Sequence, residues 1–134
     1  MRERILIVSD EQRNASIRES FAQDGFAATI TENEQEGYGK LLESKFDLVI
    51  VNLRNATKGL GLIRQIRANP ELRKLLILTV AEWGTGQGTM ALSEGADGFE
   101  PGPFDGKRLL AAVARLLRPN LTMTARATAA ELEE

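Results

Sequence analysis

The sequence predicts an α/β fold in which a five-stranded parallel sheet carries helices on both faces. Short apolar runs alternate five times with longer segments that have apolar residues at helical spacing. The run Asp47–Val51 is apolar at every position after its first, which is typical of a central strand covered on both faces. The segment 105–117 carries its leucines and valine at helical spacing, which predicts a last core helix.

The first two βα units are predicted from short apolar runs, each followed by a segment with helical spacing. Ile5–Val8 is short and rich in β-branched residues, so it predicts a buried strand. The following helix is expected over 12–23, because Ile17 and Phe21 are spaced i, i+4 and a glycine follows. Ala27–Thr31 predicts a weaker second strand, and 33–44 a second helix. The apolar side chains predicted to face inward from that helix are Tyr38, Leu41 and Leu42.

The third unit starts from the strand 47–51 and continues through a polar loop predicted over Asn52–Lys58. Leu60, Ile63 and Ile66 then mark a third helix by their spacing. This helix is expected to stop before Asn69-Pro70, because the residue that precedes a proline disfavours helical backbone.

The last two units are shorter. A buried strand is predicted over 75–80, and the glycine-rich segment 82–88 is expected to be loop. A short helix is expected over 89–94, a minimal strand over 98–100, and the last helix over 105–117. Five parallel strands of this size favour the flavodoxin-like order 2-1-3-4-5, a doubly wound (βα)5 sandwich with its site at the carboxyl ends of strands 1 and 3.

Composition limits the chemistry that this chain can perform. The 134 residues, 43% of them hydrophobic, suit one domain over 1–118 and a C-terminal extension over 119–134. The chain has no cysteine and no histidine, which excludes thiol chemistry and imidazole catalysis. The formal net charge of −2 argues against nucleic-acid binding by this domain. No apolar run is long enough to span a membrane, so a cytoplasmic location is expected.

The polar residues at the predicted strand ends form one candidate site. They are Ser9, Asp10 and Glu11 after strand 1, Asn52 after strand 3, Thr79 at the end of strand 4, and Phe99 with Gly102-Pro103 at strand 5. Because the loops after strands 1, 3 and 4 converge in this fold, we expect these side chains to lie near one another.

Over residues 2–118 the chain resembles the receiver domains of bacterial two-component response regulators, the CheY-like family. The resemblance rests on Ile5–Asp10, Asp47–Leu53, Ile77–Thr79, Gly95–Phe99 and Pro103-Phe104. It implies an acidic pair after strand 1, a phosphorylated aspartate ending strand 3, a hydroxyl ending strand 4, an aromatic switch on strand 5 and a following lysine.

Three of the implied positions depart from that pattern. Ser9 stands at the first acid, Asn52 at the phosphoacceptor and Gly102 at the lysine. Two implied positions match: the resemblance assigns Thr79 to the hydroxyl position and Phe99 to the aromatic switch position.

The departures matter because phosphoryl transfer to a receiver needs a carboxylate nucleophile, Mg²⁺ and a cation that pairs with the phosphoryl oxygens. An amide is a poor nucleophile. Only Asp10 remains in the implied metal position, with Glu11 as a stand-in, so Mg²⁺ binding is expected to be weak or absent and no cofactor is expected. The sequence therefore predicts a degenerate, non-enzymatic pseudo-receiver that acts through protein–protein interaction, independently of phosphorylation.

Two other functions stay open from the sequence. One is phosphorylation at an unconventional residue, namely Ser9, Thr79 or Glu11. The other is a sensor that binds a small ligand or anion in the former phosphorylation pocket. Simpler roles also apply. Asp10 would be a helix cap, and Asn52 a tie to Ser9, Asp10 or nearby backbone. Thr79 would be a strand-end hydroxyl bonded to backbone, and Phe99 a core residue or a half-buried surface anchor.

The expected partner is a signalling protein or domain, including one fused C-terminally. The resemblance implies a docking surface over helix 4, strand 5 and helix 5, to which Trp83, Phe99 and Pro103 are assigned. The extension ends in Ala-Ala-Glu-Leu-Glu-Glu, which resembles the start of a helical or coiled-coil linker and allows a homodimer.

Overall fold

A computed structural model of the chain describes residues 2–10, 14–82, 84–102 and 105–118. Within them five strands alternate with five helices. The strands are β1 (Arg4–Val8), β2 (Ala27–Thr31), β3 (Leu48–Asn52), β4 (Leu76–Ala81) and β5 (Gly98–Pro101). The helices are α1 (Asn14–Gln23), α2 (Glu34–Glu43), α3 (Ala56–Ala68), α4 (Gln87–Glu94) and α5 (Gly106–Leu117). All strand pairs are parallel in the order β2-β1-β3-β4-β5, so the predicted fold class and strand order are confirmed.

Two helices begin earlier than the sequence predicts. Helix α3 begins at Ala56, inside the segment predicted as loop, because the Asn55 side chain accepts a hydrogen bond from the Lys58 backbone N–H and caps it. Helix α4 begins at Gln87, two residues before the predicted start, although its N-cap Gly86 has a φ of +79° and offers no side-chain cap.

The two faces of the sheet bury separate cores. One core contains Leu6, Val8, Val49 and Val51 with helices α2, α3 and α4, and the other contains Ile5, Ile7, Leu48 and Ile50 with helices α1 and α5. Successive side chains of a strand point to opposite faces, so each central strand contributes to both cores. This burial confirms the central position predicted for the third strand.

One predicted core residue is wrong. Leu42 is 58% exposed, whereas Leu41 beside it is buried and Tyr38 packs half-buried against the same core. Neighbouring residues of a helix are about 100° apart around its axis, so Leu42 lies on the solvent side of α2 while Leu41 faces the core.

Arg67 binds four groups near the amino ends of β4 and β5. Its Nε donates to the Gly95 carbonyl at 2.9 Å, and Nη1 donates to the carbonyls of Arg73 and Leu75, each at 2.7 Å. Its Nη2 donates to Asp97 Oδ2 at 2.8 Å. This side chain therefore joins the end of α3 to the turns that lead into both strands.

A second arginine of α3 holds the end of α4. Arg64 donates two hydrogen bonds to the Glu94 carboxylate, at 2.7 and 3.1 Å. The hydrogen bond from Arg64 is the main cause that lowers the pKa of Glu94; desolvation opposes it and Coulombic attraction adds to it. The ionised pair is therefore favoured over a wide range of pH.

We expect the Glu94 carboxyl to titrate below the ordinary range of a glutamate when followed by NMR. An Arg64→Gln variant should return its pKa toward the ordinary value. Since the folded-state pKa is lowered, the contact stabilises the fold above the unfolded pKa and is lost as pH falls through the folded pKa. An ordinary Glu94 pKa in the unmodified chain would contradict the pairing.

Candidate functional site

The carboxyl ends of β1 and β3 bring Ser9 and Asn52 together. Val8 pairs with Val51 in the sheet register, so the next residues of the two strands are neighbours. Asn52 Nδ2 donates to Ser9 Oγ at 3.2 Å, and the two residues are only 8% and 3% exposed. This is one of the hydrogen bonds expected for Asn52. It ties the loop after β3 to the loop after β1.

Asp10 follows Ser9 and pairs with Arg54, a residue that the sequence analysis did not identify as part of the site. Arg54 Nη1 donates to Asp10 Oδ1 at 3.4 Å, and both side chains are about three-fifths exposed, at 61% and 60%. Arg54 is the second residue after Asn52, in the turn that leads into α3. A basic residue so close to the strand end was the one signal in the sequence that could have found it.

A cleft of about 140 Å³ lies at these strand ends. It is lined by Val8, Ser9, Asp10, Glu32, Asn33, Glu34, Asn52, Arg54, Asn55 and Lys58. The lining mixes carboxylates with cations, so the cleft is neither strongly acidic nor strongly basic. A larger groove of about 680 Å³ runs between α2 and α3 and shares Asn33, Glu34 and Lys58 with it.

Thr79 does not lie beside Asn52, contrary to the expectation from the sequence. Asn52 pairs with Val80, whereas Thr79 pairs with Val51 and Phe99. Alternation therefore puts Thr79 on the face that α3 and α4 cover, away from the Asn52 side chain. Thr79 is fully buried, and its hydroxyl donates to the Gly98 carbonyl at 3.0 Å. The position beside Asn52 thus carries Val80, which has no hydroxyl.

Phe99 is also outside the cleft. Its ring is half-buried against the core under α2, α3 and α4. The ring lies so close to the first turn of α4 that a Cβ on Gly88 would approach three ring carbons to 2.5 Å. Phe99 thus packs between β5 and α4, half-buried against the core.

The backbone at Gly102 does not require glycine. Its N–H donates to the Ala81 carbonyl at 2.7 Å and extends the pairing of β4 with β5. An added Cβ would lie 3.6 Å from the Ala81 oxygen, which is ordinary contact, and Gly102 is not among the glycines with positive φ. Glu11, Trp83, Pro103 and the extension 119–134 lie outside the described residues.

The resemblance to receiver domains implies a Mg²⁺ ion at this site, and the side chains at the implied ligand positions do not fit one. Those positions hold the Ser9 hydroxyl, the Asn52 amide and the Asp10 carboxylate, which already pairs with Arg54. Mg²⁺ prefers several oxygen ligands that include carboxylates, in near-octahedral geometry. Within the ranges that the structure describes, no group of three or more acidic side chains is placed to hold a metal.

We expect Asn52→Ala to lower the free energy of unfolding by about 1–3 kcal/mol, because it removes the buried hydrogen bond to Ser9. Urea unfolding measures the change. Gln65→Ala is the matched control: it removes an exposed amide from α3 and should stay within about 0.5 kcal/mol of the unmodified chain. Equal stability of the two variants would show that the tie contributes nothing.

The alternating parallel sheet, with polar residues meeting where β1 and β3 end, is the architecture of the receivers of two-component signalling. The family model "Response regulator receiver domain" matches residues 5–114. The chain belongs to this family. No helix among the described residues is long and apolar enough to cross a membrane.

Two curated relatives show the level of similarity. The transcriptional regulatory protein PcoR of Escherichia coli is 30% identical over 118 residues, which cover 87% of this chain and 52% of PcoR. The response regulator ArlR of Staphylococcus saprophyticus is 33% identical over 117 residues, which cover 86% of this chain and 52% of ArlR. This chain therefore spans about half the length of the relatives it matches.

Solved structures agree on the fold. The chemotaxis response regulator CheY4 of Vibrio cholerae superimposes with a TM-score of 0.79 at 18% identity, over 87% of this chain and all of CheY4. The receiver domain of a signal transduction histidine kinase from Syntrophus aciditrophicus gives a TM-score of 0.75 at 26% identity, over 86% of this chain and 89% of that one.

Proposed function

We propose that this receiver domain is a phosphorylation-independent pseudo-receiver, a non-enzymatic module that acts through protein–protein interaction. The observation that carries the proposal is the amide of Asn52 at the end of β3, hydrogen-bonded to Ser9 where the family has carboxylates. A carboxylate oxygen can take a phosphoryl group as a nucleophile, whereas an amide carries no charge and is a very poor nucleophile.

Two further positions support the proposal. Val80, the β4 residue in register with Asn52, has no hydroxyl to bond a phosphoryl oxygen. Gly102 has no cation to pair with the charge that develops on that group. The nucleophile, the first acid of the metal site, the hydroxyl and the lysine of the family pattern differ here, which argues against phosphoryl transfer more strongly than any one change.

The two other candidate functions have less support. Ser9 and Thr79, the hydroxyls that would replace the aspartate as phosphoacceptors, are 3% and 0% exposed. A phosphoryl donor would need access that the described structure does not give them. The cleft of about 140 Å³ is smaller than the roughly 300–1,000 Å³ of a drug-sized ligand site, and its lining of three carboxylates and two cations has no excess positive charge to attract an anion.

We place the docking surface on α4, β5 and α5. Met90 and Leu92 are exposed apolar side chains of α4, and Phe99 lies half-buried beneath its first turn. The Glu100 carboxylate is largely buried and pairs with Arg108 and Arg115, so β5 and α5 present a charged surface. Met90 and Leu92 are two residues apart and lie on different sides of α4, so each offers a single apolar side chain beside this surface.

The partner proposed for this surface is a signalling protein or domain, including one that follows the receiver in a longer chain or a second copy of the receiver. We propose no nucleic-acid contact and no membrane contact for the domain itself. A cytoplasmic location fits such a role.

An NMR titration tests the proposal. Beryllofluoride or acetyl phosphate with Mg²⁺ is added to the labelled chain, and a receiver that carries the phosphoacceptor aspartate is treated in parallel. We expect no specific shifts of the amides around residues 9, 52 and 80 in this chain and large shifts in the control. Specific shifts around residue 52 would overturn the proposal.

A further inference from the structure

We propose that Arg54 is the resident cation of the cleft: its guanidinium neutralises Asp10 in place of a divalent metal ion. The inference rests on the proposed function, because it explains how the same cleft remains organised without Mg²⁺. It assigns a role to a residue that the family pattern of acids, hydroxyl and lysine does not include.

The contact that carries the proposal joins two loops. Arg54 Nη1 lies 3.4 Å from Asp10 Oδ1, and both residues line the cleft with Ser9 and Asn52. Asp10 is the one acid that remains in the implied metal position among the described residues. A cation supplied by the chain itself therefore lies against the carboxylate that a metal ion would need.

The backbone on either side of Arg54 is fixed. Leu53 is buried, and its N–H donates to the Val80 carbonyl at 2.8 Å. Asn55 accepts a hydrogen bond from the Lys58 backbone N–H and caps α3. The arginine is thus held beside the cleft by its neighbours, which lowers the entropic cost of bringing its side chain to Asp10.

The chemistry of arginine suits this role. A guanidinium presents a positive charge and several donors in one plane, so it can face the Asp10 carboxylate where a metal ion would otherwise lie. It also repels an approaching divalent cation. Because the pair is exposed and screened by solvent, its effect on metal affinity is expected to be about tenfold rather than several orders of magnitude.

Lys58 provides the matched control. It is a second cation in the lining of the same cleft. The ion pair of Asp10 within the described part of the chain is made by Arg54. If the general positive charge of the cleft excluded metal ions, removal of either cation would have the same effect.

The experiment measures Mn²⁺ affinity by paramagnetic broadening of amide signals near residue 10. The parent is a Ser9→Asp/Asn52→Asp variant, whose two added carboxylates bring the affinity into a measurable range. Arg54→Met, Arg54→Lys and Lys58→Met are each added to this parent, and amide spectra verify the fold. If the parent does not fold, the same three substitutions are compared in the unmodified chain.

Arg54→Met is expected to tighten Mn²⁺ binding about tenfold, whereas Lys58→Met should change it by no more than about twofold. Arg54→Lys keeps the charge and should remain close to the parent. Equal affinity with and without Arg54, or equal tightening by Lys58→Met, would overturn the inference. Failure of the proposed function has a different signature, namely beryllofluoride shifts in the unmodified chain.

Discussion

Asn52→Asp alone is expected to leave the chain unlabelled by radioactive acetyl phosphate, whereas a fourfold variant is expected to take up the label. The fourfold variant combines Ser9→Asp, Asn52→Asp, Val80→Thr and Gly102→Lys. The single change restores a nucleophile but neither the second metal ligand nor the groups that stabilise charge on the phosphoryl group. Loss of one such stabilising group costs about 10²–10³-fold in rate in enzymes, so several losses together should make labelling undetectable.

Two of the four changes need little rearrangement of the structure. Gly102 has ordinary backbone geometry and space for a Cβ. Val80 and threonine have nearly the same shape, and Val80 lies in register with Asn52. The acids at positions 9 and 52 would repel each other where the present side chains share a hydrogen bond, so labelling is measured at saturating Mg²⁺.

The control for this prediction is the threefold variant that keeps Asn52 and carries the other three changes. It has the restored metal ligand, hydroxyl and lysine without the nucleophile, so it should remain unlabelled. Labelling of Asn52→Asp by itself would show that the nucleophile is the only missing part. A folded but unlabelled fourfold variant would contradict the prediction as well, because the four positions would then be insufficient.

The sheet could be predicted from the sequence because its signal is repeated. Five apolar runs in alternation with helical spacing define the fold class, and the burial of 48–51 follows from four consecutive apolar residues. The loop after β3 was predicted too long, because a cap by Asn55 is a local hydrogen bond that apolar spacing does not reveal. The periodicity of apolar residues therefore predicts the position of a helix or strand better than its first and last residues.

The candidate site is more sensitive to such errors. A displacement of one residue along a strand moves a side chain to the other face of the sheet, which is why Thr79 was placed beside Asn52 and Val80 lies there instead. The Ser9–Asn52 contact could be expected, since Ser9 follows one buried strand and Asn52 ends the neighbouring one. The Arg54–Asp10 pair could not, because it depends on how two loops lie relative to each other.

The largest loss of stability is expected at the other end of the sheet, in Arg67→Ala. We expect the free energy of unfolding to fall by about 3 kcal/mol, as measured by urea unfolding. Arg67 is only 21% exposed at its side chain and donates to three carbonyls and to Asp97. Without Arg67, the Asp97 carboxylate and three backbone carbonyls each lose a hydrogen-bond donor. A hydrogen bond to a charged group contributes about 1.5–3 kcal/mol to stability.

Arg64→Ala is the matched control, one turn earlier on the same helix. The Arg64 side chain is 59% exposed, and its ion pair within the described ranges is with Glu94, so its loss should cost no more than about 1 kcal/mol. Arg67→Lys should recover only part of the loss, because an ammonium cannot reach carbonyls on several sides as the planar guanidinium does. Equal effects at the two positions would mean that Arg67 contributes as an ordinary surface charge. The amides of residues 9 and 52 should keep their shifts in folded Arg67→Ala, since Arg67 acts at the amino ends of β4 and β5 and the cleft lies at the opposite, carboxyl ends.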